Sequence, residues 1–304
     1  MTTHVLWAVV LLSSGLLAGG VITVSLAVIP ALRVFGERTD FQIHRVFNPL
    51  PDYYMPQSLF LSALAVLGLL TFGGGTESPG RWFLLVGLGL SLPIILISLL
   101  GNRRINLLIR RWSQPELPPG YSRMRRVWDR WHISRTALCL VLAVCYGTAV
   151  GLKGGTPARM STELLGALMA GGLLMIEVAV VPTFHRVPAP VSARLHLAVD
   201  HYIERSMPAF TVLTALAAVL TLATGGESGT RRSLLVVGVV LTVVVAAVSH
   251  LCNRRLNVRL RQWELDPPPP TYAGLRKRWD RFHLLRTTSG LAAFACFVVA
   301  CLPE

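Results

Sequence analysis

The chain has 304 residues, of which 53% are hydrophobic and only 14% are charged, and its mean hydropathy is +0.56. Soluble domains carry about 25% charged residues, so this composition excludes an ordinary cytosolic enzyme, a secreted disulfide scaffold and a disordered chain. The composition predicts an integral membrane protein. The formal net charge of +14 at pH 7 therefore has to be explained within that class.

Eight apolar segments of roughly 20 residues follow one another, the length that a helix needs to cross a bilayer. They cover residues 5–30, 54–73, 82–101, 132–152, 163–183, 207–224, 233–251 and 284–302. The first segment is longer than the apolar run of a signal peptide and lacks a basic start, so it counts as a helix. The predicted fold class is an all-α integral membrane protein with eight transmembrane helices.

The basic residues lie mostly on one side of this arrangement. If the segments alternate across the bilayer, the loops on one side hold 22 of the 29 lysines and arginines. Positive charge accumulates on the cytoplasmic side. The sequence therefore predicts a multi-pass cell-membrane protein with cytoplasmic basic loops and with both termini extracytoplasmic, and the charge needs no nucleic-acid partner.

The two halves of the chain are copies of each other. AGGVITVSLAVIPAL (18–32) aligns with AGGLLMIEVAVVPTF (170–184), and NRRINLLIRRW (102–112) aligns with NRRLNVRLRQW (253–263). Agreement at a nearly constant offset indicates a tandem duplication. Because each unit has four segments, the repeats are expected to be parallel four-helix bundles, with domains at 1–153 and 154–304.

Glu177 is the first candidate functional residue, because it lies inside the fifth apolar segment, where the first half has Ser25. Ionisable residues within a membrane span are costly and are usually functional. The alternative is an interfacial carboxylate paired with an arginine. The five cysteines are scattered through the apolar segments without a CxxC pattern, so a thiolate site is not expected.

A second candidate group lies before the sixth segment at helical spacing. Its members are His196, Asp200, His201 and Glu204. Imidazole and carboxylate ligands suit iron, copper or manganese, so this pattern predicts a transition-metal site with Asp200 orienting a histidine. A solvated amphipathic helix with surface ion pairs would produce the same pattern.

The first half contains a version of this group with fewer ligands, namely His44, Asn48 and Asp52. The histidine is kept, while an amide replaces one carboxylate. This asymmetry favours one active site, in the second repeat. Whether His44, Asp52 and His132 form a second site stays open.

The motif W-D-R-[WF]-H-x-x-R-T opens the fourth and eighth segments. It supplies Asp129, His132, Arg135, Asp280, His283 and Arg286. An interfacial aromatic belt and cytoplasmic positive charge explain the tryptophans and arginines but not the histidines. His283 is therefore predicted to complete the metal site with Glu177, and Arg286 to anchor a substrate oxygen.

Two asparagines four residues apart follow the seventh segment, Asn253 and Asn257, and their copies are Asn102 and Asn106. Amides at this spacing face the same way on a helix, so Asn253 and Asn257 are candidate substrate-binding residues. Helix-end capping and interhelical hydrogen bonding explain them equally well.

These motifs, in this order, resemble the anthrone-oxygenase-like membrane family, which is also catalogued as a domain of unknown function. The matching features are a small-residue first helix that ends in proline, the Asn-x-x-x-Asn pair, and W-x-R-[WF]-x-x-x-R-T. The matching positions are Asn102, Asn106, Trp128, Arg130, Arg135, Asn253, Asn257, Trp279, Arg281 and Arg286. The resemblance covers both halves.

The resemblance implies a helical membrane protein and, for some relatives, the oxygenation of polycyclic aromatic polyketides such as anthrones to quinones. Two departures stand out. Relatives are usually single four-helix units, and many have asparagine where this chain has His132 and His283.

The leading hypothesis is a metal-dependent membrane oxygenase that acts on a lipophilic, aromatic substrate entering from the lipid bilayer. Dioxygen is the co-substrate and no nucleotide cofactor is expected. The predicted metal ligands are Glu177, His196, His201, Glu204 and His283. The alternatives are a transporter, a lipid-binding or assembly protein, and a haem protein with His44 and His132, or His196 and His283, as axial ligands.

Overall fold

The computed structural model describes residues 2–47, 51–72, 79–114, 116–224, 229–263 and 268–303. Within them the chain folds into nine helical stretches, which we label α1 to α9. Their bounds are α1 Thr2–Leu32, α2 Glu37–Phe47, α3 Pro51–Phe72, α4 Pro79–Arg111, α5 Tyr121–Gly151, α6 Pro157–Arg186, α7 Ala189–Thr224, α8 Gly229–Arg261 and α9 Tyr272–Cys301.

Eight of these helices are long and apolar enough to cross a membrane, all except the short helix α2. No strand occurs in the part of the chain that the structure describes. The all-α fold class with eight spans is therefore confirmed. The sidedness of the termini and of the basic loops stays a prediction.

The helices continue beyond their apolar segments at the end that carries the basic loops. The stretch after the third apolar segment forms the end of α4, and its copy forms the end of α8. The predicted helix before the sixth segment is also confirmed, because α7 runs without a break from Ala189 through Thr224. In the first half, Asn48 and Pro49 lie outside the described residues.

Helices α1, α3, α4 and α5 form one bundle, and α6 to α9 form the corresponding second bundle. The bundles meet mainly along α1 and α6, where glycines face each other. A Cβ on Gly19 would lie 2.9 Å from the Gly171 Cα, and a Cβ on Gly171 would lie the same distance from the Gly19 Cα. Small residues thus allow close backbone contact, as is typical of helix pairs in lipid. The domain boundary at 153/154 stays a prediction.

Four π-helical turns interrupt these helices at matching positions in the two repeats. They are Val24–Val28 in α1, Ile97–Asn102 in α4, Ile176–Val180 in α6 and Ser249–Asn253 in α8. Single π-helical turns are rare and often mark functional sites. Here they contain Ser25, Asn102, Glu177 and Asn253, which are candidate residues or their copies.

Candidate functional site

In the first repeat, a buried layer of rings and cations crosses the bundle near the basic loops. The Trp128 ring packs edge-on against His44 at 4.8 Å and stacks on His132 at 5.2 Å between ring centroids. The Arg125 guanidinium bonds the Nδ1 atom of His44, and Arg135 Nη2 lies 2.7 Å from Nδ1 of His132. Each histidine therefore has an arginine partner.

The second repeat contains the same layer. Trp279 packs edge-on against His196 at 4.8 Å and stacks on His283 at 5.0 Å. Arg276 Nη1 lies 2.8 Å from Nδ1 of His196, and Arg286 Nε donates to Nδ1 of His283, also at 2.8 Å. Each of the two four-helix units therefore contains the same layer.

The hydrogen bonds of the first-repeat layer define the histidine tautomers. Because a guanidinium can only donate, Nδ1 of His44 and of His132 must accept. Nε2 then carries the proton, and it points to Asn106 Oδ1 at 3.5 Å in His44 and to the Val21 carbonyl at 3.2 Å in His132. Burial, reinforced by the Arg125 charge, holds the pKa of His44 well below its usual value. Both imidazoles are neutral and have both nitrogens engaged.

The asparagines link α4 and α8 to their neighbours. Asn102 Nδ2 donates to the Trp128 carbonyl at 3.1 Å, and Asn253 Nδ2 donates to the Trp279 carbonyl at 3.4 Å. Asn257 Oδ1 accepts from His196 Nε2 at 3.2 Å. Interhelical hydrogen bonding thus accounts for Nδ2 of Asn102 and of Asn253 and for Oδ1 of Asn257. The predicted role of Asn253 and Asn257 in substrate binding stays a prediction.

Among the described residues, the structure does not bring the five predicted metal ligands together into one group. His283 Nε2 lies 3.6 Å from Glu177 Oε2, which makes these two neighbours. His196 is buried between its asparagine and arginine partners, whereas His201 is exposed and bonds Arg205. Among the residues that the structure describes, no group of three or more histidine, cysteine and acidic side chains could hold a metal ion.

Glu204, the remaining predicted ligand, and Asp200 both form ion pairs with Arg261. Glu204 Oε2 lies 2.6 Å from Arg261 Nη2, and Asp200 Oδ2 lies 2.7 Å from the same nitrogen. Asp200 also accepts a hydrogen bond from Asn257, so it is not bonded to a histidine directly. Arginine at the carboxylates and at the histidines leaves this set ill suited to a metal cation, and the metal site stays a prediction.

The two histidine pairs do not have the geometry of a bis-histidine haem site. In each repeat a tryptophan ring contacts both imidazoles, as the centroid distances of 4.8 to 5.2 Å show. The indole occupies the position that a porphyrin between them would need. Each layer is a set of tightly packed histidine and tryptophan rings with arginine partners.

A cavity of about 730 Å³ opens next to the layer of the first repeat, between α3 and α4. Its polar end is lined by Asp52, Ser98, Asn102, Arg110 and Arg135. Its remaining walls are mostly apolar and include exposed side chains that face outward from the bundle, such as Phe60 and Leu99. Ligand pockets for small molecules typically span about 300–1,000 Å³, so this cavity is large enough for a molecule of three fused rings.

Arg135 is the central cation of this polar end. Its described hydrogen bonds go to two neutral groups, His132 Nδ1 at 2.7 Å and Ser98 Oγ at 3.4 Å. Its buried Nε has no hydrogen-bond partner, nor does Oδ1 of Asn102. Buried polar atoms are normally paired, so unpaired ones around a cavity favour a polar ligand there.

Among the described residues that line the cavity, Asp52 is the only acidic one, and it lies in the first turn of α3. It bonds Arg110 and accepts from Asn106 Nδ2 at 3.2 Å. Burial raises the pKa of Asp52 above its ordinary value, and the Arg110 charge offsets part of that rise. A carboxylate with a raised pKa beside a cavity has the properties of a general base.

Two of the four arginines of the layers, Arg125 and Arg276, are not among the residues predicted from the sequence. Arg125 and Arg276 are both buried and hold the first histidine of their repeat, and Arg125 also lies 3.2 Å from Asp129 and 3.6 Å from Asp40. The sequence does contain a signal, because Arg125 precedes His132 by seven residues and thus lies on the same helix face. The positive charge of Arg125 and Arg276 is also explained by the rule that basic residues accumulate on the cytoplasmic side, so it does not by itself indicate a buried role.

The comparisons with known proteins agree with the duplication. A family model described as anthrone oxygenase matches residues 44–145 and matches again over residues 196–296. No curated protein and no solved structure matches the chain. The two matched regions begin at the first histidine of each layer, and together they cover about two thirds of the chain.

Proposed function

Because the chain belongs to the anthrone oxygenase family, we propose that it is a membrane oxygenase whose substrate is a lipophilic hydroxylated aromatic ketone. The observation that carries this proposal is the cavity of the first repeat. It combines an apolar interior with an arginine, an amide and a carboxylate at one end. A fused-ring molecule with oxygen atoms along one edge has the complementary distribution of apolar and polar surface.

The proposed substrate enters from the lipid between α3 and α4. The cavity wall includes Phe60, which is 64% exposed, and Leu99, which is 46% exposed, so its mouth lies on the apolar outer face. A lipophilic molecule concentrated in the bilayer would reach the cavity without passing through water. Its rings would contact the apolar wall, and its oxygens would face the layer.

In the proposed reaction, Asp52 removes a proton from the acidic methylene carbon of the substrate. Arg135 stabilises the oxyanion that results, because its buried Nε can donate and has no hydrogen-bond partner among the described residues. Asn102 Oδ1 at the same polar end can only accept, so it takes a hydrogen bond from a hydroxyl group of the substrate. Preorganised donors of this kind are a large source of catalysis. His132 bonds this arginine through Nδ1, and the Trp128 ring stacks on His132 and holds the imidazole in position.

The substrate anion supplies all electrons of the proposed reaction. Dioxygen adds to the carbanion to form a carbon–oxygen bond, and the oxygen–oxygen bond then breaks with loss of water. The methylene becomes a carbonyl, so one substrate and one dioxygen give one quinone and one water. No external reductant is needed, and no step is assigned to a metal because the described donor set does not fit one.

Metal dependence in the second repeat is the alternative. It is favoured by Glu177 Oε2, which is buried without a hydrogen-bond partner and lies 3.6 Å from His283 Nε2. If this alternative holds, a chelator will abolish activity, and Glu177→Gln will lower the metal content of the purified protein. The cavity mechanism predicts full activity in the presence of the chelator.

The proposal is tested by following anthrone oxidation by the detergent-purified protein under ¹⁸O₂. The expected result is a quinone with one ¹⁸O atom, formed faster than in a sample with heat-inactivated protein, which measures autoxidation. Arg135→Gln is expected to raise KM and lower kcat, whereas the matched variant Arg286→Gln should change both little. Equal rates with active and heat-inactivated protein would refute the proposal.

A further inference from the structure

A second cavity, of about 380 Å³, lies between the two repeats at the end of the molecule opposite the histidine layers. Residues of α1, α5, α6 and α9 line it, so both repeats contribute to its wall. Most of the wall is apolar and includes Leu11, Ala143, Leu164 and Phe294. The exposed side chain of Val144 lies at its edge and connects it to the outer face of the bundle.

Among the described residues that line this cavity, Glu163 of α6 is the one acidic side chain. Glu163 is only 4% exposed, and neither carboxyl oxygen has a hydrogen-bond partner in the described part of the protein. The charge of Arg159, one turn earlier, acts on Glu163, but its guanidinium donates to the Gly154 carbonyl at 3.3 Å and makes no hydrogen bond to the carboxylate. Glutamate is almost never buried unless it is paired, so this side chain lacks the partner that its position requires.

Other buried acidic residues show what such a partner looks like here. Asp40 and Asp129 both interact with the Arg125 guanidinium, at 3.6 and 3.2 Å. Asp40 also accepts a hydrogen bond from Tyr121 at 2.9 Å. In this protein a buried carboxylate therefore pairs with a cation or a strong donor, whereas Glu163 faces an apolar cavity.

We propose that the cavity at Glu163 is a binding site for a lipophilic amine that enters from the bilayer. The ammonium group would pair with the Glu163 carboxylate, which an isolated alcohol would do less well because burying an unpaired charge is costly. The aromatic ring of Phe294 in the same wall also favours a cation. The apolar remainder of the cavity would hold the hydrocarbon part of the ligand.

A substitution at Gly147 of α5 can fill the cavity without disturbing the helices. It lines the cavity, and a Cβ at this position meets nothing within 4 Å. Gly147→Leu should therefore place a side chain in the space meant for the ligand. Gly89 of α4 is a matched control, because its added Cβ also meets nothing and it does not line this cavity.

The test is thermal unfolding of the purified protein in neutral detergent with octylamine or with octanol of the same chain length. Octylamine is expected to raise the Tm of the wild type and of Gly89→Leu, and to leave the Tm of Glu163→Gln and Gly147→Leu unchanged. Octanol should give a much smaller rise in every variant. An equal rise in all four proteins, an equal effect of the two compounds, or no rise in the wild type would overturn the proposal.

Discussion

At the scale of single residues, the arginines determine the protonation state of the layer histidines. Each layer histidine has its Nδ1 bonded to a guanidinium: His44 and His132 in the first repeat, and His196 and His283 in the second. A histidine that accepts from a cation is a poor base and a poor ligand, which leaves the carboxylate of Asp52 as the proposed base. The proposed task of the histidines is to hold the arginines.

The pH dependence of the reaction follows from the environment of Asp52. Burial raises the pKa of this carboxyl group, and a general base works only when it is deprotonated. The logarithm of kcat/KM should therefore be constant at high pH and fall as the pH drops through a value above that of an ordinary aspartate. Asp52→Asn should remove this acid limb from whatever activity is left, as steady-state rates across the pH range will show. An unchanged limb in the variant would assign the base to another residue.

At the scale of helices, close contact between α1 and α6 joins the repeats. A Cβ on Gly19 would meet backbone atoms of the opposite helix, among them the Leu168 carbonyl oxygen at 2.9 Å. Backbone cannot rotate out of the way as a side chain can. The two helices must therefore separate if this glycine is enlarged.

Gly19→Leu is expected to destabilise the protein by about 1–3 kcal/mol or more, the usual cost of overpacking a tight interface. The free energy of unfolding can be measured by titrating the detergent-solubilised protein with a denaturing detergent. Gly89→Leu serves as the control because its site is open. Equal stabilities of the two variants would show that the α1–α6 contact contributes little.

The helices themselves could be predicted from the sequence because hydropathy and the duplication depend on composition and order alone. The AGG triplets of the two aligned segments lie where the structure has the close helix contact, at Gly19 and Gly171. The π-helical turns could not be predicted, since no residue pattern specifies them. The cavity at Asp52 was also not predictable, because it depends on the gap left between α3 and α4.

At the scale of the whole molecule, the duplication creates two similar layers with different surroundings. The number of candidate ligands favours the second repeat as the active one, and the structure does not test that prediction. The cavity of about 730 Å³ favours the first repeat. Glu163 was not singled out from the sequence, because its significance depends on a space formed by helices of both repeats.

The two repeats also provide the most direct test, since each variant has a natural counterpart. Asp52 of the first repeat aligns with Glu204 of the second, and both carboxylates pair with an arginine that follows the Asn-x-x-x-Asn pair. Anthrone oxidation should be measured for Asp52→Asn and for Glu204→Gln. We expect a loss of kcat/KM on the order of 10²- to 10⁴-fold for Asp52→Asn, the usual contribution of a general base, and little change for Glu204→Gln. Loss of activity in Glu204→Gln with Asp52→Asn still active would contradict it and move the chemistry to the second repeat.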